Sequence, residues 1–502
     1  MPGIWSTNQG IYLGFAARNI QGPPPPLRDP LRYADDRHVV LVGPNRTGKT
    51  KRLLLKNLYD LTAWSVILND IRGDLCRMTE DHRRRAGNII IKLNPFDVLQ
   101  MGSDGFNAVQ ALELTDEFPD DALQLAEAII RIEGKEPHWS HAAQELVAAL
   151  IMYVRLVIPD GSLADVRALL GQSDLGIKAM VLGGGNVDPR QLELFQGDKE
   201  SVPKGYVPPF RYEGKLYPGI IAAARIHKWP EMAVKAARFG DITPENRELH
   251  SVISTALTQT RWLDSRRVKA DLAKNPFDFS VMKDRPVTVY LILPARRFAT
   301  HSSWLRLVIT SIILKLMQDG RKSRVPILLA FDEYAALAGG SGSGADDVAD
   351  GFPAVARNMP MMAGYSIKLL TIWQDLAQAE RIYGKSFESF LGNAGILQFF
   401  APQDITTSEY ISKRSGQRTV SLPSQGETLS PNSAMPGGTQ WSESQNLSYI
   451  PMPLMLGQDA RAMGPGYTVI FTHLEPRGPV RSYLPWPGDL PELRAITALD
   501  PS

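Results

Sequence analysis

The sequence predicts an α/β protein: a mostly parallel sheet covered by helices, interrupted by an inserted all-α domain. Three observations predict it. An apolar run, His38–Val42, opens into a glycine-bearing loop and then a breaker-free stretch rich in Leu and Lys, Lys51–Leu58. Further short runs rich in Ile and Val alternate with helical segments in both halves of the chain. Between those halves, Asn107 to about Lys274 keeps helical spacing without strand alternation.

Composition sets the outer limits. At 502 residues the chain has room for two or three domains. Apolar residues at 44% and charged residues at 22% are ordinary for a globular protein. A net charge of +2 sets up no global field, so any surface for a polyanion must be local. The single cysteine, Cys76, excludes a disulfide framework and a cysteine-based metal site, and suits a reducing cytoplasm. Met1–Arg32 contains no apolar core of a signal peptide. The longest apolar runs, Val147–Ile158 and Leu305–Met317, carry Arg155 and Arg306 with Lys315 and fall short of a membrane span. The expectation is a cytoplasmic chain with no transmembrane segment of its own.

In chain order, residues 1–37 read as an irregular arm ending in the stiff spacer Pro23–Pro26. Strands are expected at His38–Val42, Ala63–Asn69 and Asn88–Leu93. The inserted domain, 107–274, takes helices at Asp121–Glu133, Ser140–Val157, Ser162–Leu170, Gly219–Phe239 and Pro244–Arg267, broken by an irregular stretch at Phe195–Pro218. The α/β texture resumes with strands at Val287–Leu293, Ile327–Phe331, Ile367–Trp373, Ile396–Ala401 and Tyr467–Thr472. Helices Ser302–Met317, Leu376–Tyr383 and Ile405–Arg414 lie between them. Gly339–Gly351 and Gly416–Tyr449 read as mobile loops. The nucleotide-binding domain is thus divided, 38–106 and 275–490, and 491–502 is a tail.

The loop Gly43-Pro44-Asn45-Arg46-Thr47-Gly48-Lys49-Thr50 fits G-x-x-x-x-G-K-[ST] at every fixed position. Glycines let backbone N–H groups turn inward around a phosphate, where a Cβ would block the approach. Lys49 brings a point charge to the β- and γ-phosphates, and the Thr50 hydroxyl is a ligand for Mg2+. Pro326–Tyr334 delivers Asp332 and Glu333 at the end of an apolar strand. Asp332 is expected to hold Mg2+ and Glu333 to polarise the attacking water. Gln374 ends the next strand on the same side, where its amide can both donate and accept. No Asn-Lys-x-Asp guanine motif is present, so ATP is the expected nucleotide. His138 and His141 read as structural, and Arg83-Arg84-Arg85 and Arg296-Arg297 as solvated faces.

The wider pattern resembles the TraG/TraD-type coupling ATPases of type IV secretion and conjugation, from about Leu31 to Tyr483. Asn69-Asp70-Ile71-Arg72-Gly73-Asp74-Leu75 is similar to that family's D-x-[KR]-G-E-L stretch. Leu93–Asp97 with Phe106-Asn107, His138-Trp139-Ser140, Leu328–Leu337 and Ala356–Gly384 follow in the family's order. So do Asn393, Thr407–Thr419, Met452-Pro453-Leu454 and Met463–Gly466.

The resemblance implies a RecA-like ATPase domain, an inserted all-α domain and a homo-hexameric ring. It implies ATP-driven movement of single-stranded DNA, with a relaxase or other protein cargo, toward type IV secretion components of the inner membrane. It places Asp70 among the cofactor-binding residues and Arg357 where the family carries its arginine finger, with Arg381 as the competitor. Two departures stand out: no transmembrane helices precede the domain, and Asn45-Arg46 replace small residues in the loop. A HerA/FtsK-like DNA pump and a nucleotide-stabilised docking adaptor are the alternatives.

Overall fold

The computed structural model describes residues 10–132, 137–171, 217–237, 247–338, 352–384, 387–431, 439–474 and 478–500. The expected loop at 339–351 and nearly all of the irregular stretch at 195–218 lie outside them. The strands are β1 (Ile11–Ala16), β2 (Pro30–Tyr33), β3 (His38–Val42), β4 (Ser65–Asn69), β5 (Ile89–Leu93) and β6 (Val287–Leu291). They continue with β7 (Ile327–Phe331), β8 (Ile367–Trp373), β9 (Ala394–Phe400), β10 (Gln417–Pro431), β11 (Thr439–Pro453), β12 (Tyr467–Thr472) and β13 (Val480–Tyr483).

Among the described residues, eleven strands form one sheet in the order β2-β1-β13-β12-β9-β3-β8-β7-β4-β6-β5. From β9 to β5 every neighbouring pair is parallel. All of those carboxyl ends therefore lie on one edge. Each residue of β3, β4, β6, β7 and β8 is buried, as a strand covered on both faces requires. Alternation splits β3 between two cores. Val40 and Val42 face the layer continuous with the inserted helices, and Val39 and Leu41 face the layer of the loop's own helix and β1.

The inserted helices surround Pro137–Val157, which packs on Phe118–Ile129, Pro230–Ala237 and Arg247–Gln259. The insertion leaves after β5 and returns before β6, which are neighbours in the sheet, so its two connections run side by side as a neck. Phe106 N–H donates to Asp271 O at 3.1 Å and Asn107 N–H to Asn275 O at 3.0 Å. Gly105, at φ +68, sits where a Cβ would come within 2.5 Å of Asp271 O. Among the described residues no helix is long and apolar enough to cross a membrane.

Four expectations are corrected. The arm at 1–37 contains β1 and β2, which extend the sheet antiparallel from β13. β1 is held by Asn57 of the loop's helix, whose side chain accepts from Tyr12 N–H at 2.7 Å and donates to Tyr12 O at 3.0 Å. Gly416–Tyr449 is mostly an antiparallel hairpin, registered from Gln417↔Pro453 to Pro431↔Thr439. Its prolines are tolerated because a two-stranded ribbon has an open edge on each strand. The tail is docked: Leu493 and Ile496 are buried, and Asp500 pairs with Lys51.

Arg83 is the fourth correction, because it is fully buried rather than solvated. Its guanidinium donates to Thr288 Oγ1 (2.6 Å), Asn88 Oδ1 (2.9 Å) and the carbonyls of Leu58 (2.6 Å), Leu61 (3.2 Å) and Trp64 (2.9 Å). Burial pulls its pKa down to about 10. Arg83→Met strands those acceptors and is expected to cost about 3 kcal/mol or more in urea unfolding. Arg84→Ala, at a side chain that is 55% exposed, should stay within ~0.5 kcal/mol.

Candidate nucleotide site

The phosphate loop leaves β3 between β8 and β9. Gly43 N–H continues the ladder to Trp373 O at 3.0 Å, and a Cβ on Gly43 would stand 2.5 Å from that of Phe400. The first glycine is thus required by the end of β9. Gly48 turns at φ +88 with the Arg52 side chain packed where its Cβ would be. Thr47 Oγ1 donates to Pro44 O at 2.8 Å and closes the loop on itself. Arg46 sits in the left-handed region at φ 66 and is exposed.

The helix begins at Lys49, two residues earlier than expected, with a wide π-type turn over Lys49–Leu54 before the α-helix Leu55–Asp60. Lys49 is 6% exposed, and its ammonium donates to Gly43 O at 2.5 Å and Pro44 O at 2.7 Å. Burial lowers its pKa, and the charges of Asp332 and Glu333 oppose that shift.

Asp332 gathers the site. Its Oδ2 accepts from Thr50 Oγ1 at 2.6 Å, and its Oδ1 from Glu333 N–H at 3.1 Å. Desolvation raises the Asp332 pKa, opposed by the Thr50 hydrogen bond. Glu333 adopts φ 51, a strained conformation for a residue with a side chain. Its Oε2 accepts from Gln374 Nε2 at 2.8 Å. The residues Gly43–Thr50, Asp332, Glu333 and Gln374 therefore meet on one sheet edge.

A Mg2+–nucleotide complex fits what is present. The loop's glycines leave backbone where side chains would intrude, and Thr50 and Asp332 offer hard oxygens for Mg2+. Lys49 offers a buried ammonium suited to phosphate charge, and Glu333 a carboxylate, held by an amide, suited to accept a proton from water.

Three sequence expectations fall outside this cluster. Asp70 is buried, and its carboxylate accepts from Gly73 N–H at 2.9 Å and Cys76 N–H at 2.8 Å. Its oxygens close the turn into the helix Asp74–Arg85, which corrects the expectation of direct cofactor contact. Arg357, on the helix Pro353–Met362, is 64% exposed and pairs with Glu127 at 3.0 Å. Arg381 is exposed on Leu376–Tyr383.

Two residues escaped sequence reasoning. Asn69 grips the Asp332 peptide from both sides, accepting from its N–H at 2.7 Å and donating to its carbonyl at 2.6 Å. The signal was available: like Gln374, it is a polar residue ending an apolar strand. Arg52 donates to Leu484 O at 2.6 Å and lies 5.2 Å over the Trp486 ring, tying the loop's helix to the C-terminal segment. No local pattern announces that contact.

Burial raises the Asp70 pKa to about 7. Between about pH 4 and 7 the native chain then holds a proton that the unfolded chain has released. Stability from this group is present at acid pH and lost as pH rises through 7. Asp70→Asn should flatten that part of the stability–pH curve by about 2–4 kcal/mol, read from urea midpoints at pH 5 and pH 8.

The family model for Type IV secretory system Conjugative DNA transfer matches residues 18–178 and 224–481. The Escherichia coli conjugal transfer protein TraG is 25% identical over 410 residues, covering 78% of this chain and 56% of that protein. Protein VirD4 of Agrobacterium fabrum is 21% identical over 401 residues, covering 78% of this chain and 51% of its own. The chain thus spans about half the length of these curated relatives. The conjugative coupling protein TrwBdeltaN70 superposes with a TM-score of 0.60 at 12% identity, over 95% of this chain and 94% of that one. TrwB in complex with ADP and Mg2+ gives 0.53 at 12% identity, again over 95% and 94%. These likenesses establish the RecA-like α/β fold with its helical addition. With a family model matched over most of its length, the chain belongs to the Type IV secretory system conjugative DNA transfer family.

Proposed function

We propose that this chain is an ATP-hydrolysing coupling protein. It recruits single-stranded DNA, with relaxase or other protein cargo, and drives it toward a type IV secretion channel. The observation that carries this reading is the assembly of Lys49, Thr50, Asp332, Glu333 and Gln374 on one edge of the sheet. Membership of a conjugative DNA transfer family supplies the substrate class.

In this reading Thr50 and Asp332 hold Mg2+, which when bound neutralises phosphate charge. Lys49 holds the β- and γ-phosphates. Glu333 takes the proton of the attacking water, and Gln374 fixes the carboxylate that receives it. Arg46, exposed at the lip of the loop, sets how much extra positive charge the phosphates meet. Arg357 is offered to a neighbouring copy, because a finger has to be exposed and outside its own chain's site. A homo-hexameric ring on the cytoplasmic side of the inner membrane, held there by secretion partners, completes the proposal.

Steady-state ATPase with and without single-stranded DNA tests it. Wild-type hydrolysis should rise with DNA, and Glu333→Gln should lower kcat by at least ~100-fold with nucleotide affinity retained. A DNA-indifferent wild type would sink the motor reading. In mixed assemblies, Arg357→Ala should poison activity out of proportion to its fraction. A strictly proportional loss removes Arg357 as a finger in trans, and the same disproportion for Arg381→Ala would move the role there.

A further inference from the structure

Beyond the nucleotide site the same carboxyl edge continues over β4, β6 and β5, and arginines collect there. Arg72 follows β4, Arg296 and Arg297 open the helix Ala295–Met317 after β6, and Arg266 and Arg267 lie on the helix Arg266–Leu272. All five are exposed. The neck brings the insertion's last helix beside the loop after β5. Arg267 Nη1 donates to Phe96 O at 2.7 Å, and the Arg297 guanidinium lies 5.2 Å over the Phe96 ring. Gly73 touches Met101 and Leu99 across the place of its missing Cβ, which seats the Arg72 loop under the same segment.

We propose that Arg72, Arg266, Arg267, Arg296 and Arg297 form a contact surface for the phosphodiester backbone of single-stranded DNA. This deepens the motor reading and rests on it. Several observations point to an anion. Arg296 and Arg297 stand in the first turn of a 23-residue helix that has no acidic residue there, the placement a helix dipole disfavours. Covering them with phosphate reverses that penalty. Of the nearby acids, Asp264 is held by Arg167 at 2.8 Å, and Asp74 pairs with Arg72, a bond that a phosphate contact to Arg72 has to replace.

The choice of residue also fits. A guanidinium presents a planar fork to phosphate oxygens and stacks on unpaired bases, which an ammonium does not. The surface also has a route to the chemistry. Arg72 lies three residues beyond Asn69, which holds both backbone polar groups of Asp332.

Fluorescence anisotropy with a labelled oligothymidylate, titrated between about 50 and 200 mM salt, tests the surface. Each lost phosphate contact removes about 0.7 from the slope of log affinity against log salt. R296A/R297A should therefore weaken binding ~10-fold and flatten the slope by about 1.4, with its melting temperature kept. R296K/R297K should recover most of the slope, a recovery that lost stacking on Phe96 would not allow. R72A, on a separate segment, should flatten the slope by about 0.7 and decides the matter if the alanine pair melts early. Wild-type binding with unaltered affinity and slope in the variants overturns the surface alone. A wild type that does not bind the oligonucleotide overturns the surface and the motor reading together.

Discussion

The nucleotide edge depends on how Asp332 is held. Its peptide groups end β7 and go to the Asn69 side chain, and its carboxylate takes the Thr50 hydroxyl. Strands β3, β4 and β7 are thereby tied at one point by groups that are costly to bury and therefore specific in position. Desolvation pushes the Asp332 pKa up, while Thr50 and Lys49 pull it down. Mg2+ would act in the same sense as Lys49 and far more strongly. Glu333 follows directly at φ 51 and is aimed by this fixation rather than by a preference of its own backbone.

The same edge explains which parts of the fold were legible in the sequence. β3, β4, β6, β7 and β8 are short apolar runs buried on both faces, β5 and β9 are nearly as apolar, and such burial leaves a continuous apolar signature. β1 is as apolar as these but stands alone ahead of a proline stretch, and β2 and β13 are four-residue strands of mixed polarity. β1 pairs with β13, more than 460 residues away, across Phe15↔Tyr483 and Ala16↔Ser482. A proline stretch between β1 and β2 disguised both as linker. The hairpin of β10 and β11 was hidden for a different reason. Among the described residues its two strands pair with one another and not with the main sheet, so the main sheet's core imposes no alternation on them.

Site residues follow a parallel rule. The loop, Asp332, Glu333 and Gln374 lie together as expected because each follows the end of an apolar strand and those ends share one edge. Arg83 misled because a run of three arginines has the composition of a solvated face, yet only its first member points inward. Its partners come from Leu58, Leu61, Trp64, Asn88 and Thr288, so no window of sequence contains them. Asp70 misled in the opposite way. Its place in a family-like stretch suggested a ligand contact, whereas the turn before Asp74–Arg85 consumes its carboxylate.

The neck gives the insertion a mechanical meaning. Because β5 and β6 are adjacent, the helical residues are attached through two side-by-side connections rather than one flexible tether. Ser103 Oγ donates to Asp271 at 2.5 Å, Lys274 to Ser103 O at 2.8 Å and Asn275 to Asp104 O at 3.0 Å. Such a crosslinked pair resists bending far more than a single strand, so a shift of the sheet edge moves the base of the insertion with it. The loop after β5 begins this neck and carries Phe96, on which Arg267 and Arg297 rest. The β4 end that grips Asp332 continues within three residues into Arg72. The Asp332 carboxylate and the arginine cluster are thus carried on one edge of the sheet. In the proposed reading, no separate transmission element is needed between nucleotide and DNA.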